Sequence, residues 1–197
     1  MAKINSRKKL EKLLIDISIK IAREGKGCLL VIKEDGIEYK TLLEQDIKPF
    51  NVLENNRRLE VLASFDGAVI IDVNGKMIAY SAKIKSNRIF PGFGTRHTAA
   101  YSASLKGNTA ILASEEDRKV RVFKQGKLIM QIDPFEKNIE YKTSEVVSLL
   151  ESIGAGSIAT IGTSLLVPSL GIALIPGIVV FGSAHYLMKI LGKRNGK

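Results

Sequence analysis

Tryptophan is absent from this chain, cysteine occurs once, and histidine only twice in 197 residues. The one cysteine, Cys28, sits in an apolar run with no partner for an intrachain disulfide, which points to a reducing compartment. Lys and Arg outnumber Asp and Glu by 30 to 20, for a net charge of +10, and a nucleic-acid polymer is the first partner such a balance suggests. No stretch interleaves basic with aromatic side chains, however, and no helix-turn-helix or finger spacing occurs, so no nucleic-acid polymer is expected. The positive balance suits ATP and an anionic membrane surface as well. A Gly-Lys-Ser/Thr phosphate loop is missing. So is a signal-peptide pattern, because charges run through the amphipathic start. There is no internal repeat and no low-complexity tract. One absence is local: from Ser152 to Met188 there is not one Asp, Glu, Lys or Arg.

What is present reads as an ordered alternation of elements. Ser6 is placed to cap a helix to about Ala22, with Leu10, Leu13, Leu14, Ile17 and Ile21 on one face. Arg7, Lys8, Lys12, Lys20 and Arg23 lie opposite; such a helix packs on a domain or, less commonly, lies on a membrane. Gly25 and Gly27 end it, and Cys28 to Ile32 reads as a buried strand. Asp35-Gly36 turns the chain into a polar stretch that lasts to Pro49. Asn56 to Ser64 is predicted helical, with Leu59, Leu62 and Ala63 inward. Apolar runs flanking Asn74-Gly75 predict a two-residue hairpin whose second strand runs from Met77 to Ala82. Lys83 to Phe93 is a loop. Thr109 to Ser114 is the next strand, and Arg118 to Phe123 pairs with Lys127 to Ile132 through Gln125-Gly126. Hairpins mixed with longer crossovers predict an α/β fold of α+β character, a mixed β-sheet flanked by helices.

Two stretches carry chemistry. In Phe93 to Leu105, Thr95 is a good N-cap, which puts Arg96 and His97 in the first turn of a helix. Cations are misplaced there, because the helix N-terminus is already positive. Free N–H groups, a hydroxyl, a guanidinium and an imidazole converging on one point suit a phosphate chain; the alternative is a surface helix start with two solvated side chains. The second stretch is Phe65 to Lys76, where Asp66 stands at the entry of a strand and Gly67 allows close backbone approach. Nucleotidyl transfer needs a carboxylate for a divalent metal and cations for the phosphates, and these stretches supply both. A lone Asp-Gly is more often a simple turn.

Together these stretches resemble the diadenylate cyclase domain family. Its marks are Asp-Gly-Ala at a strand start, Gly-Thr-Arg-His-Arg-Ala-Ala downstream, and Ser-Glu-Glu after a buried strand. They read here as Asp66-Gly67-Ala68, Gly94-Thr95-Arg96-His97-Thr98-Ala99-Ala100 and Ser114-Glu115-Glu116. The resemblance covers roughly residues 5 to 132, all three pieces in order. Thr98 departs from it by removing one positive charge, and Phe65 stands where one branch of the family has His. The resemblance implies that two ATP condense into cyclic di-AMP with release of two pyrophosphates. It implies one ATP per site, with two sites facing each other in a homodimer or higher homo-oligomer. It implies that Asp66 holds Mg²⁺ or Mn²⁺ and helps to activate the attacking hydroxyl. Arg96 and His97 would stabilise charge on the departing pyrophosphate, and Gly67, Ala68, Gly94, Thr95, Ser114 and Glu115 would line the nucleotide site. The alternative is a catalytically impaired, membrane-attached sensor of ATP or cyclic di-AMP, with Thr98 marking lost activity. The persistence of Asp66 argues against that, since a pure binder has little use for a metal-holding carboxylate.

Pro134 marks a boundary. Residues 1–135 are read as the catalytic domain, 136–151 as a linker and helix, 152–191 as a membrane hairpin, and 192–197 as a basic tail. Gly154-Ala155-Gly156-Ser157-Ile158-Ala159 matches a dinucleotide fingerprint, but a helical pattern precedes it and no acidic residue follows at the needed distance. Small residues in an apolar helix fit close helix–helix approach instead. One straight helix of this length would reach roughly 60 Å, about twice the hydrocarbon thickness. Pro168 and Pro176 therefore predict a helical hairpin contacting membrane lipid, and Lys189, Lys193, Arg194 and Lys197 place both ends, with the catalytic domain, on the cytoplasmic side of the cell membrane; the alternatives are a single span, an interfacial tail, and a hydrophobic tail packed in an oligomer. His185, near the end of this run, is expected to be interfacial.

Overall fold

The computed structural model describes residues 2–86 and 94–136, positions 139 and 147, and three short strands between 165 and 181, with backbone alone for residues 2–5 and for those strands. The elements are α1 (Ala2–Arg23), β1 (Cys28–Lys33), β2 (Tyr39–Thr41), α2 (Asn56–Ala63), β3 (Ala68–Asp72), β4 (Met77–Ile84), α3 (Thr95–Leu105), β5 (Thr109–Ala113), β6 (Val120–Lys124) and β7 (Lys127–Ile132). They are followed by β8 (Leu165–Val167), β9 (Ile172–Ile175) and β10 (Ile178–Phe181). The described strands form one mixed sheet in the order β2-β4-β3-β1-β5-β6-β7-β10-β9-β8.

Strand β1 is apolar over five successive residues because it is covered on both faces, the situation in which a strand loses its alternation of polar and apolar residues. Its Cys28, Leu30 and Ile32 join a core with Leu10, Leu14 and Ile15 of α1 and with Leu59 and Leu62 of α2. Leu29 and Val31 face the other way, toward Ala100 and Ala103 of α3. The fold is thus three layers, with α1 and α2 on one face of the sheet and α3 on the other.

Helix α1 belongs to the domain, not to a free surface. Ile15 and Ile19 are buried along with the expected apolar face, each contributing about 1.5–3 kcal/mol. Arg7, expected among the solvated cations, instead binds Glu11 at 2.9 Å, Glu34 at 2.7 Å and the hydroxyl of Thr109 at 3.2 Å. One guanidinium so ties α1 to the end of β1 and the start of β5. Its pKa is raised: burial opposes the charge, and the two carboxylates outweigh burial.

Two turns differ in an instructive way. Gln125 and Gly126 both have positive φ, and Lys124 faces Lys127, so this hairpin has the expected two-residue loop. The Asn74-Gly75 hairpin instead closes with Asp72 N–H donating to Lys76 O at 2.8 Å, so its loop has three residues with Gly75 at φ +85°. The Asp72 side chain drives this choice by accepting from Asn74 and Lys76 N–H, both at 2.8 Å. Strand β2, within the stretch read as irregular, is a short half-exposed edge strand on β4.

Most of the helical hairpin expected over Ser152 to Leu191 lies outside the described residues; where that run is described it forms β8, β9 and β10, with β10 parallel to β7. Among the described residues no helix is long and apolar enough to cross a membrane. Ile139 and Val147 are buried in the core cluster that α1 and α2 share with the sheet.

Candidate functional site

The registers of β1 decide what can meet. It pairs parallel with β3, Leu29 opposite Ala68, and antiparallel with β5, Cys28 opposite Ala113. The residues before β1 (Gly27), before β3 (Asp66-Gly67) and after β5 (Ser114-Glu115) therefore gather at one end of the sheet, where α3 also begins.

At that end Gly67 has φ +92°, and a Cβ there would stand 2.8 Å from backbone atoms of Ser81 and Ala82. Only glycine fits, and the crossing fixes the preceding Asp66. The Asp66 carbonyl accepts the Ser81 hydroxyl at 2.8 Å, while its side chain stays 82% exposed. Across from it, Arg96 is bracketed by carboxylates: Nη2 lies 3.6 Å from Asp66 Oδ1, and Nη1 donates to Glu115 Oε2 at 3.2 Å. Both carboxylates are largely exposed, so each pair is worth at most about 1 kcal/mol. The Nε of Arg96 is buried and has no partner among the described residues. A guanidinium with a spare buried donor and two weak partners is ready to exchange them for a better anion.

Helix α3 starts at Thr95. Its cap is Gly94, not the expected Thr95, and no side chain caps it. No acidic residue lies in its first turn, and the carboxylate beside its positive end comes from the turn after β5, with Glu116 Oε1 3.3 Å from where a Cβ on Gly94 would stand. Beside it opens a cleft of about 1250 Å³. Asp66, Gly67, Gly94, Thr95, Arg96 and Thr98 line one side, and Ile37, Tyr39, Leu42 and Ile84 give it an apolar wall. Among the described residues that line the cleft, Lys40, Lys83, Lys85 and Arg96 outnumber Glu38 and Asp66, a balance that favours an anionic guest.

Four expected site residues do not line the cleft. Ala68 is buried as the first residue of β3. Glu115 acts through Arg96, and Ser114 is buried with its hydroxyl on Asp117. His97, expected beside the phosphates, points behind α3 with 4% exposure. Arg121 Nη1 donates to its Nε2 at 3.0 Å. A guanidinium cannot accept, so His97 is neutral with its proton on Nδ1. Arg121 also binds both oxygens of Asp117, and its Nε donates to Gln131 at 2.9 Å. Burial works against the Asp117 carboxylate, but the bonds from Arg121 and Ser114 prevail and keep its pKa below the usual range. Burial, aided by the Arg121 charge, pushes His97 down to about 4. One internal network thus clamps the first turn of α3 to the turn that carries Glu115. Sequence reading missed Arg121, although a charge inside Val120-Arg121-Val122-Phe123, a buried strand, signals an internal partner.

The three motif stretches thus converge at one end of the sheet, and comparison with known proteins gives the family. The model of the family described as DAC, DisA bacterial checkpoint controller nucleotide-binding, matches residues 18–128. The chain belongs to this family. A protein named diadenylate cyclase from Methanocaldococcus jannaschii is 31% identical over 144 residues, 65% of this chain and 47% of that protein. A second of that name, from Haloferax volcanii, is 28% identical over 141 residues, 61% of this chain and 51% of that protein. The chain spans about half the length of these curated relatives. Among solved structures, a cysteine double mutant of DacA from Staphylococcus aureus aligns with TM-score 0.46 and 22% identity, over 75% of this chain and 97% of that one.

The donor set can be tested against a divalent metal. Among the described residues no three His, Cys, Asp or Glu side chains are grouped to hold one. Magnesium and manganese need less from the protein, since they take hard oxygen donors and keep waters and substrate phosphates as ligands. The exposed carboxylate of Asp66, at the cleft beside Arg96, fits that partial role.

The His97 network predicts a pH response. Its folded pKa, about 4, lies below the unpaired value of 6.5, so as pH falls the unfolded chain takes up this proton first. The stability it contributes is complete above about pH 6.5 and is lost on the way to about pH 4. The thermal midpoint of the wild type should therefore fall from pH 6.5 to 5, above the range where carboxylates titrate, and His97→Gln should flatten that limb. Equal slopes in the two proteins would contradict the assignment.

Proposed function

We propose that this chain is a diadenylate cyclase, joining two ATP into cyclic di-AMP with release of two pyrophosphates. The observation that carries the proposal is the meeting of Asp66 and Arg96, from separate motifs, 3.6 Å apart on the wall of one cleft, with a buried Arg96 donor left over. In this reading the apolar wall takes the adenine, and the open end of α3 with Arg96 takes the phosphates. Arg96 leaves its two carboxylates for the phosphate chain and stabilises the charge that grows on pyrophosphate. Thr95 adds a hydroxyl and a backbone N–H. The metal, Mg²⁺ or Mn²⁺, when held by Asp66, supplies neutralisation of phosphate charge and a lower pKa for the attacking 3′-hydroxyl. His97 serves by holding α3 in place rather than by touching phosphate. Because each site holds one ATP, two copies must face each other for both bonds to form, so the active species is a homodimer or higher homo-oligomer.

The second reading, a binder of ATP or cyclic di-AMP without catalysis, is favoured by one observation alone. Thr98 lines the cleft where the family motif has a second Arg, so the phosphate end has one cation fewer.

Asp66→Asn separates the two. Asp66 is exposed and its ion pair weak, so the variant should unfold at the wild-type temperature. Its product formation should fall roughly a hundredfold or more, the scale of one positioned acid–base group. Unchanged turnover at matched metal and ATP would remove Asp66 from the chemistry.

We also propose that the uncharged run from Ser152 to Met188 attaches the chain to the cytoplasmic face of a membrane, as a hairpin with the C-terminal cations beside the headgroups. Its support is composition: no charge over that length, then Lys189, Lys193 and Arg194. A chain ending at Glu151, which keeps the buried Ile139 and Val147 and loses β8, β9 and β10 from the sheet beyond β7, should leave the membrane fraction and still make product. Recovery of the full chain in the soluble fraction without detergent would refute the attachment.

A further inference from the structure

Gly27 lies between the end of α1 and the start of β1, 69 positions before Arg96. Its φ is outside the left-handed region, so backbone conformation does not demand glycine there. Space does. A Cβ on Gly27 would stand 2.6 Å from Nη1 of Arg96 and 3.3 Å from its Cζ, whereas the nearest backbone atom, Ala113 O, is 3.4 Å away. The missing side chain leaves a notch, and the guanidinium of Arg96 occupies it.

We infer that Gly27 is a positioning residue for Arg96, setting the pose from which the guanidinium addresses the phosphate chain. The inference rests on the phosphate-binding role given to Arg96 above. Three contacts define that pose: Asp66 at 3.6 Å, Glu115 at 3.2 Å, and the floor of the notch. The two carboxylates attract from the exposed side and leave the depth of the guanidinium open. Gly27 fixes the depth by letting it sink until Nε is buried. A methyl group at residue 27 would push Nη1 outward by about 1 Å to reach ordinary contact distance. The atom that must give way is the end of a flexible side chain, so the fold can stay intact while the pose is lost. A 1 Å error in a group that aligns a reacting phosphate costs up to about a hundredfold in rate.

The test is Gly27→Ala in the full-length protein, made in the wild type and in an Arg96→Lys background, assayed with ATP and Mn²⁺. In the wild-type background kcat/KM should fall on the order of tenfold to a hundredfold, with kcat lowered and KM raised, and with the thermal midpoint nearly unchanged. In the Arg96→Lys background the substitution should cost less than about twofold, because a lysine ammonium has no second nitrogen to fill the notch. Equal losses in both backgrounds would mean that Gly27 acts on something other than Arg96 and would overturn the inference. A crystal structure of nucleotide-free Gly27→Ala decides independently of any reaction. Nη1 should stand about 1 Å out of its present position; an unmoved guanidinium overturns the inference. A wild type that ignores ATP would defeat the proposed function, and this structure would still judge the role of Gly27.

Discussion

Strand β1 binds β3 in parallel and β5 in antiparallel register, and the site exists because of that pair of registers. Parallel pairing brings the entry of β3, with Asp66 and Gly67, to the same sheet end as the entry of β1, with Gly27. Antiparallel pairing brings the exit of β5, with Ser114 and Glu115, to that end as well. A slip by one residue in either ladder would turn every side chain of β1 to the wrong face and separate Asp66 from Arg96. Burial on both faces opposes such a slip, since α1 and α2 take Leu30 and Ile32 while α3 takes Leu29 and Val31.

On this frame the charges divide into two layers with opposite jobs. The inner layer is closed: Arg121 is held by Asp117, His97 and Gln131, with Ser114 behind Asp117. Buried and hydrogen-bonded on several sides, it resists change and fixes α3 against the turn after β5. The outer layer is open: Arg96 rests between exposed Asp66 and Glu115, and its buried Nε has no partner among the described residues. Weak partners suit an arginine that must change hands when an anion arrives. The start of α3 adds to the same demand, since it has no side-chain cap and no acidic residue in its first turn.

Elements governed by local pattern were legible in the sequence. The apolar run of β1, the Gln125-Gly126 hairpin and the amphipathic α2 each carry their own signal. The site was legible in part: Asp66, Gly67, Gly94, Thr95 and Arg96 share the cleft as expected. What was not legible depends on partners distant in sequence. The direction of His97 is set by Arg121, the fit of Gly27 by Arg96, and the wall of Tyr39 and Leu42 by an edge strand too short and polar to announce itself. The Asn74-Gly75 loop took three residues because the Asp72 carboxylate captured two N–H groups, a preference that dipeptide signals omit.

If Asp66 and Arg96 form a working site for joining nucleotides, the purified protein turns over ATP by itself. The most direct measurement is incubation of the purified full-length protein with ATP and Mn²⁺, followed by chromatographic separation of the products. Cyclic di-AMP should appear, with two pyrophosphates released for each molecule formed. ATP that binds and is recovered unchanged, at protein concentrations high enough for two copies to meet, would contradict it and leave a nucleotide-binding module in place of an enzyme.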